Sequence, residues 1–93
     1  MDAALKKKWI TALRSGRYRK CRHVLADAQG RYCAIGVLLL ASGAQRARLL
    51  DKSSVWSTGF IGLTGDEIGK IEAANDIWGF SFKEIADYIE KEL

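Results

Sequence analysis

Residues 34–42 read Ala-Ile-Gly-Val-Leu-Leu-Leu-Ala-Ser, which is apolar throughout apart from Gly36 and the final serine. Gly43 follows and supplies a stop signal for a helix. A helix that is apolar on every side is typical of the buried centre of a domain. We therefore predict a central helix here, in which Gly36 lets another element approach closely.

Two segments towards the C-terminus begin helices with one shared pattern. Residues 63–68 and 80–85 each place an apolar residue before a Thr or Ser, a Glu three residues later and then an Ile. This is a capping box with a hydrophobic staple, which marks a helix start. We predict that the first helix ends near Ala74, with Asn75 as its C-terminal residue, and that the second runs to the end of the chain.

The remaining helices are predicted from weaker signals. Asp2 is placed to cap a helix that runs to Arg14, and Ser15-Gly16 ends it. Residues 44–50 are expected to form a short helix. Residues 17–22 have no amphipathic pattern and indicate an exposed connector, and residues 51–62, rich in Ser, Thr and Gly, are expected to be the least ordered stretch.

One antiparallel hairpin is predicted over residues 23–34. Residues 23–26 and 31–34 flank Asp27-Ala28-Gln29-Gly30, and Asp at the start of a turn with Gly near its end suits a tight reversal. The predicted fold class is α+β and mostly helical, with four or five helices packed around this short two-stranded hairpin. At 93 residues without a proline, the chain is expected to form a single domain over residues 1–93.

The sequence predicts neither export nor a membrane span. Basic residues begin at Lys6 with no apolar stretch before them, which is the wrong order for a secretory signal. The longest uncharged apolar stretch, residues 32–45, is shorter than the roughly 20 residues that a spanning helix needs. Two cysteines are too few for a disulfide-based fold. We expect a cytoplasmic protein with reduced thiols and no membrane partner.

Charge is distributed unevenly along the chain. Residues 1–31 contain nine Lys or Arg against two acids, whereas residues 64–93 contain eight acids against three lysines. The asymmetry indicates a basic face for an anionic partner, although plain solvation of two surfaces would give the same count. The predicted contact residues, centred on a basic ribbon over residues 17–22, are Arg14, Arg17, Tyr18, Arg19, Lys20, Arg22, Arg31, Lys6 and Lys7.

Two kinds of anionic partner fit these residues. Arg and Tyr can clamp phosphates and stack on bases, and they are also the residues most enriched at protein interface hot spots. Two absences argue against nucleic acid. The sequence shows no RNA-binding strand motif, and it shows no helix-turn-helix with a basic second helix, since the last two helices, the obvious pair, are acidic. An acidic protein and a nucleic acid both remain open.

The sequence also resembles small proteins encoded by phages and prophages. The resemblance lies in Trp9-x-x-Ala-Leu-Arg-Ser-Gly-x-Tyr18, in Tyr32-Cys-x-Ile-Gly-Val-Leu38, in the Asn75-Asp76 step and in residues 81–89. It covers roughly the first 40 and the last 20 residues. Ala34 stands where such proteins often have a second cysteine, and Ala74 where they often have leucine. The resemblance implies an accessory protein that acts on host machinery.

The leading prediction is accordingly a small non-enzymatic protein of phage or mobile-element type. It would bind a host protein or protein–nucleic-acid complex through its basic surface and could inhibit a host defence or regulatory complex. The first alternative is a small nucleic-acid-binding protein that uses the same residues together with Lys6, Lys7 and Lys8. The second is a nucleotide or small-ligand binder with a pocket lined by Trp56, Trp78 and the hairpin, since an exposed tryptophan can act as an aromatic anchor as well as cover the core.

Catalytic and metal sites are weakly supported. Cys21, His23 and Cys33 could contribute to a metal site near the hairpin, but no fourth Cys or His exists to close a zinc cage. His23 is the only histidine, and no glycine-rich phosphate loop or paired carboxylates accompany it. We predict no metal, no cofactor and no enzymatic activity.

Overall fold

The computed structural model describes residues 1–53 and 62–93. This part of the chain contains two short strands, β1 (Arg19–Lys20) and β2 (Arg31–Tyr32). It also contains five helices, which are α1 (Ala3–Arg14), α2 (Ala34–Ala41), α3 (Arg46–Leu49), α4 (Gly65–Asp76) and α5 (Phe82–Glu92). A mostly helical protein with one small two-stranded sheet is therefore confirmed.

Helix α2 is buried on every side over most of its length, as predicted. Its residues 34–39 are all buried. The four longer helices form a closed ring, in which α1 and α4 each pack against both α2 and α5. A Cβ atom on Gly36 would lie only 2.0 Å from the carbonyl oxygen of Leu25. The predicted close approach at Gly36 is thus confirmed, and the element that approaches is the backbone of the segment before β2.

Side-chain caps start three of the helices as predicted. The carboxylate of Asp2 accepts a hydrogen bond from the Leu5 amide at 2.8 Å. Thr64 and Ser81 each form a complete capping box with the glutamate three residues later. Because each cap satisfies amide groups that have no partner inside the helix, these starts are decided locally by a few neighbouring residues.

The predicted end of α4 is wrong. The helix continues to Asp76, Ile77 is its C-cap, and the left-handed residue is Gly79, with a φ of 72°. Asn75 lies inside the last turn and is 1% exposed. Its side-chain oxygen accepts from the Ala34 amide at 3.1 Å, and its side-chain nitrogen donates to the Cys21 carbonyl at 2.9 Å. Asn75 is therefore a tertiary connection and does not stop the helix.

The predicted antiparallel hairpin over residues 23–34 is wrong, because the two strands of the sheet, β1 and β2, are parallel. Arg19 pairs with Arg31. His23 has a φ of 69°, which breaks the predicted first strand. The chain turns there and again at Asp27–Gly30, and two reversals restore its original direction. The predicted turn itself is present, since the Gly30 amide donates to the Asp27 carbonyl at 3.3 Å. The local antiparallel pairing is reduced to one bridge between Ala26 and Tyr32.

Residues 17–22 are not the exposed connector that was predicted, because they include β1 and the buried Cys21. The predicted short helix over residues 44–50 is confirmed in a shorter form as α3. Most of the stretch expected to be least ordered, together with Trp56, lies outside the described residues. Within residues 1–53 and 62–93, none of the helices is long and apolar enough to span a membrane.

Candidate functional site

Helix α1 has an apolar inner face and a polar outer face. Trp9, Ile10 and Leu13 are buried on the inner side. The indole nitrogen of Trp9 donates to the Ala34 carbonyl at 2.9 Å, which fixes α1 on the first turn of α2. The outer face carries the exposed residues Ala4, Lys7, Lys8 and Thr11. This division follows from the 3.6-residue period of the helix.

The outer face of α1 forms one wall of an open groove of about 520 Å³. The segment after the helix supplies the other wall. Gly16, with a φ of 75°, begins the turn out of α1, and the Ser15 hydroxyl accepts from the Arg17 amide at 3.2 Å. The Tyr18 ring then packs edge-on against Tyr32, with ring centres 5.6 Å apart. We call this site the α1 groove, and its lining residues are Ala4, Lys7, Lys8, Thr11, Ala12, Ser15, Arg17 and Tyr18.

The α1 groove combines an apolar floor with a basic rim. We call the small side chains of α1 and the Tyr18 ring, which are the uncharged part of the lining on both walls, the floor, and the exposed cations Lys7, Lys8 and Arg17 the rim. Among the described residues, these three cations form no ion pair. Such an arrangement can bind an anionic group while covering an apolar one.

A second, smaller groove of about 410 Å³ lies between α1 and α5 and shares Lys7 and Thr11 with the first. Lys6 and Arg14 also line it. The Arg14 guanidinium donates to Asp87 at 2.7 Å and to Glu90 at 3.3 Å on α5. These hydrogen bonds, with Glu90 contributing most, raise the pKa of Arg14. Arg14 therefore connects the two helices, while Lys6 and Lys7 extend the basic surface across α1.

Arg19 and Arg31 are located elsewhere, side by side on the two strands. Arg19 donates to the Gln29 carbonyl at 2.7 Å, and Arg31 donates to the Asp27 carboxylate at 2.6 Å. Desolvation opposes ionisation of Asp27, but hydrogen bonds from the Arg31 backbone and side chain outweigh it and lower the pKa of Asp27. Both arginines thus support the turn over residues 27–30.

Lys20 and Arg22 form a third group near the end of α4. Lys20 is half-buried, and burial together with the neighbouring Arg22 lowers its pKa, against weaker opposing effects of Asp76 and Glu84. Arg22 is exposed. The continuous basic ribbon predicted over residues 17–22 is therefore divided, and only Arg17 and Tyr18 from it line the α1 groove.

The two cysteines and His23 each contact neighbouring groups of the fold. The Cys33 sulfur accepts from the Gly36 amide at 3.3 Å and so caps α2, and burial raises the pKa of the Cys33 thiol to about 12. Burial also raises the pKa of Cys21, whose thiol donates to the Val24 carbonyl at 3.5 Å. The His23 side chain is 76% exposed, and its Nδ1 atom lies 3.6 Å from a carboxylate oxygen of Asp76. Over residues 1–53 and 62–93, no three His, Cys, Asp or Glu side chains form a metal-binding group.

Trp78 lies in the turn between α4 and α5 and is 49% exposed. Its ring packs against Phe80 and Tyr88, with centre separations of 5.6 and 6.0 Å. It is therefore partly a cover for the core. Trp56, the other predicted aromatic anchor, is outside the described residues. Beside His23 and α4, the described residues line a cavity of only about 10 Å³, which suits at most one water molecule.

Sequence reasoning missed the floor of the α1 groove and included Lys8 only in the nucleic-acid alternative. Ala4, Thr11 and Ser15 recur at helical spacing opposite the buried residues of α1, and this small-residue pattern was the available signal. The second wall had no such signal, because the position of Tyr18 depends on its contact with Tyr32. Asn75 was also missed, since both of its backbone partners are distant in sequence.

The geometry thus defines a small helical protein with a basic groove on its first helix. Among protein families, a domain of unknown function (DUF8296) matches residues 1–42, a segment that contains α1, both strands, α2 and every residue lining the α1 groove. No curated protein and no solved structure matches the chain.

Proposed function

We propose that this chain is a non-enzymatic binding protein of phage or mobile-element type that docks on a host macromolecule through the α1 groove. The observation that carries the proposal is that three exposed cations, Lys7, Lys8 and Arg17, line one groove beside apolar surface and form no ion pair among the described residues. Arg14, Arg19 and Arg31 instead have acceptors inside the protein. Cations that the fold does not use are available to a partner.

The chemistry of the groove favours binding over catalysis. Its described lining contains no histidine, cysteine or carboxylate that could act as a base for its hydroxyl groups. The two thiols are buried elsewhere with raised pKa values, so they stay protonated near neutral pH. Its cations and the Tyr18 ring are groups that contribute strongly at protein interfaces.

A host protein is the leading partner, and inhibition of a defence or regulatory complex is the proposed outcome. Nucleic acid is the alternative, because phosphates would use the same three cations. A nucleotide or small-ligand pocket has less support, since the described cavity beside His23 and α4 is too small for such a ligand and Trp78 is not among its described lining residues.

The proposal is tested by capture from a bacterial host lysate with two variants of equal net charge. K7Q/K8Q/R17Q removes the three rim cations, and K70Q/K83Q/K91Q removes three exposed lysines of α4 and α5. We expect the first variant to lose a partner that the wild type and the second variant retain, with or without nuclease. Equal capture by both variants would overturn the proposal, and loss of the partner on nuclease treatment would establish the nucleic-acid alternative.

A further inference from the structure

The floor of the α1 groove restricts the chemical class of the partner more than the charge of the rim does. Its lining runs along one side of α1 from Ala4 to Ser15, a distance of about 16 Å at 1.5 Å per residue. Ala4 and Thr11 are exposed, and Ala12 and Tyr18 are half-buried. Small side chains beside a tyrosine ring make a straight, shallow trough about three helical turns long, into which an apolar side chain can pack.

The rim surrounds this trough with positive charge. Lys7 and Lys8 lie along α1, and Arg17 lies on the opposite wall. A partner that fits must therefore carry carboxylates beside an apolar ridge. Phosphate backbones satisfy the cations but leave the apolar floor without a matching surface, whereas an amphipathic protein segment matches both.

The backbone of α1 decides between a helical and an extended partner. Its amide and carbonyl groups are hydrogen-bonded within the helix, so an extended peptide would find no backbone partners along this wall. A helix satisfies its own backbone groups and presents side chains every three or four residues. We infer that the α1 groove binds an acidic amphipathic helix of a partner protein, with apolar side chains on the floor and carboxylates at Lys7, Lys8 and Arg17; this rests on the proposed function.

The test uses designed probes, because the natural partner is unidentified. Probe one is a synthetic helical peptide of about 16 residues with leucines on one face and glutamates flanking them. Probe two has the same glutamates but serines in place of the leucines, and probe three is a short duplex DNA. Affinities are measured by fluorescence anisotropy at moderate salt. We expect the leucine peptide to bind at least about tenfold more tightly than either other probe.

Two variants separate the floor from the charge. A4R/T11R fills the trough with bulky side chains and adds positive charge, and Q45R/A47R adds the same charge at exposed positions in and beside α3. The inference predicts at least about fivefold weaker binding of the leucine peptide by A4R/T11R, and no weakening by Q45R/A47R. Circular dichroism checks that both variants are folded.

Equal affinity for the leucine and serine peptides, tighter binding by A4R/T11R or a preference for DNA would each overturn the inference and leave the basic surface in place. The proposed function fails separately, if K7Q/K8Q/R17Q binds all three probes as well as the wild type does.

Discussion

Two polar regions of this protein use hydrogen-bonding groups in opposite ways. At the Ala34 junction, where α1, α2 and α4 meet, the Ala34 carbonyl accepts from Trp9 and its amide donates to Asn75. Among the described residues, every buried side-chain nitrogen or oxygen atom has a partner. At the α1 groove, the cations form no ion pair in the described part of the chain. The first region holds the helices together, and the second is free to bind.

This comparison separates residues whose loss destabilises the fold from residues whose loss removes binding. A buried polar group left without a partner costs about 1–3 kcal/mol, whereas an exposed charge contributes little to folding. Substitutions in the buried packing should therefore change stability most, and substitutions at the groove least.

The largest effect is expected for Gly36→Ala. A Cβ atom there would lie 2.0 Å from the Leu25 carbonyl oxygen, so the backbone before β2 must move. We expect a loss of about 3 kcal/mol or more in the free energy of unfolding, measured by urea denaturation. Gly69→Ala in α4 is the matched control, because its Cβ would meet nothing within 4 Å. That variant should gain up to about 1 kcal/mol, and equal effects of the two substitutions would contradict the packing described at Gly36.

Asn75→Ala should have the next largest effect. It leaves the Ala34 amide and the Cys21 carbonyl without their side-chain partner in a buried position. We expect a loss of about 2–3 kcal/mol in the free energy of unfolding. Gln45→Ala, at an exposed position without a side-chain capping bond, should change it by less than about 0.5 kcal/mol. A tolerated Asn75→Ala would show that α4 is held mainly by its apolar contacts.

An alkaline loss of stability is expected from Cys33. Its pKa is raised to about 12 from an ordinary value of 9.0, so the folded protein keeps the proton that the unfolded chain releases. The stabilisation is complete below about pH 9 and is lost as the pH rises towards about 12. Cys33→Ser retains a helix-capping oxygen and lacks this titration. Denaturation midpoints from pH 8 to 11 should therefore fall more steeply in the wild type than in Cys33→Ser, and parallel slopes would be the contrary result.

The smallest effect on folding is expected at the groove. Lys8→Gln removes an exposed cation that forms no ion pair among the described residues. Its free energy of unfolding should change by less than about 0.5 kcal/mol. A larger loss in thermal or urea denaturation would mean that the fold itself uses Lys8, which would remove the distinction between the two regions.

Features that are decided by neighbouring residues could be predicted from the sequence, whereas features that depend on distant contacts could not. The caps at Thr64 and Ser81 are decided by residues three positions apart, so they could be predicted. Asn75 was interpreted as a local stop signal, but its amide is engaged by segments 41 and 54 residues away. The chain between the parallel strands has a left-handed conformation at His23, which only a few per cent of non-glycine residues adopt, so the sequence alone does not predict it.

The candidate site shows the same division. The basic residues of the N-terminal third were visible in the sequence, and helical periodicity places Lys7 and Lys8 on the outer side of α1. Which cations the fold would use could be predicted only in part: Arg31 pairs with Asp27 four residues away, whereas Arg14 and Arg19 find their acceptors 73 and 10 residues away. Only the tertiary structure separates these arginines from the cations of the groove.

The central claim is that the rim cations of the α1 groove serve binding and not folding. The most direct measurement is the affinity of the leucine–glutamate peptide for K7Q/K8Q/R17Q and for the equally charged K70Q/K83Q/K91Q, by fluorescence anisotropy at one salt concentration. The account predicts a loss of at least about tenfold for the first variant and less than about twofold for the second. Equal losses in the two variants would show that net charge alone governs binding and would contradict the account.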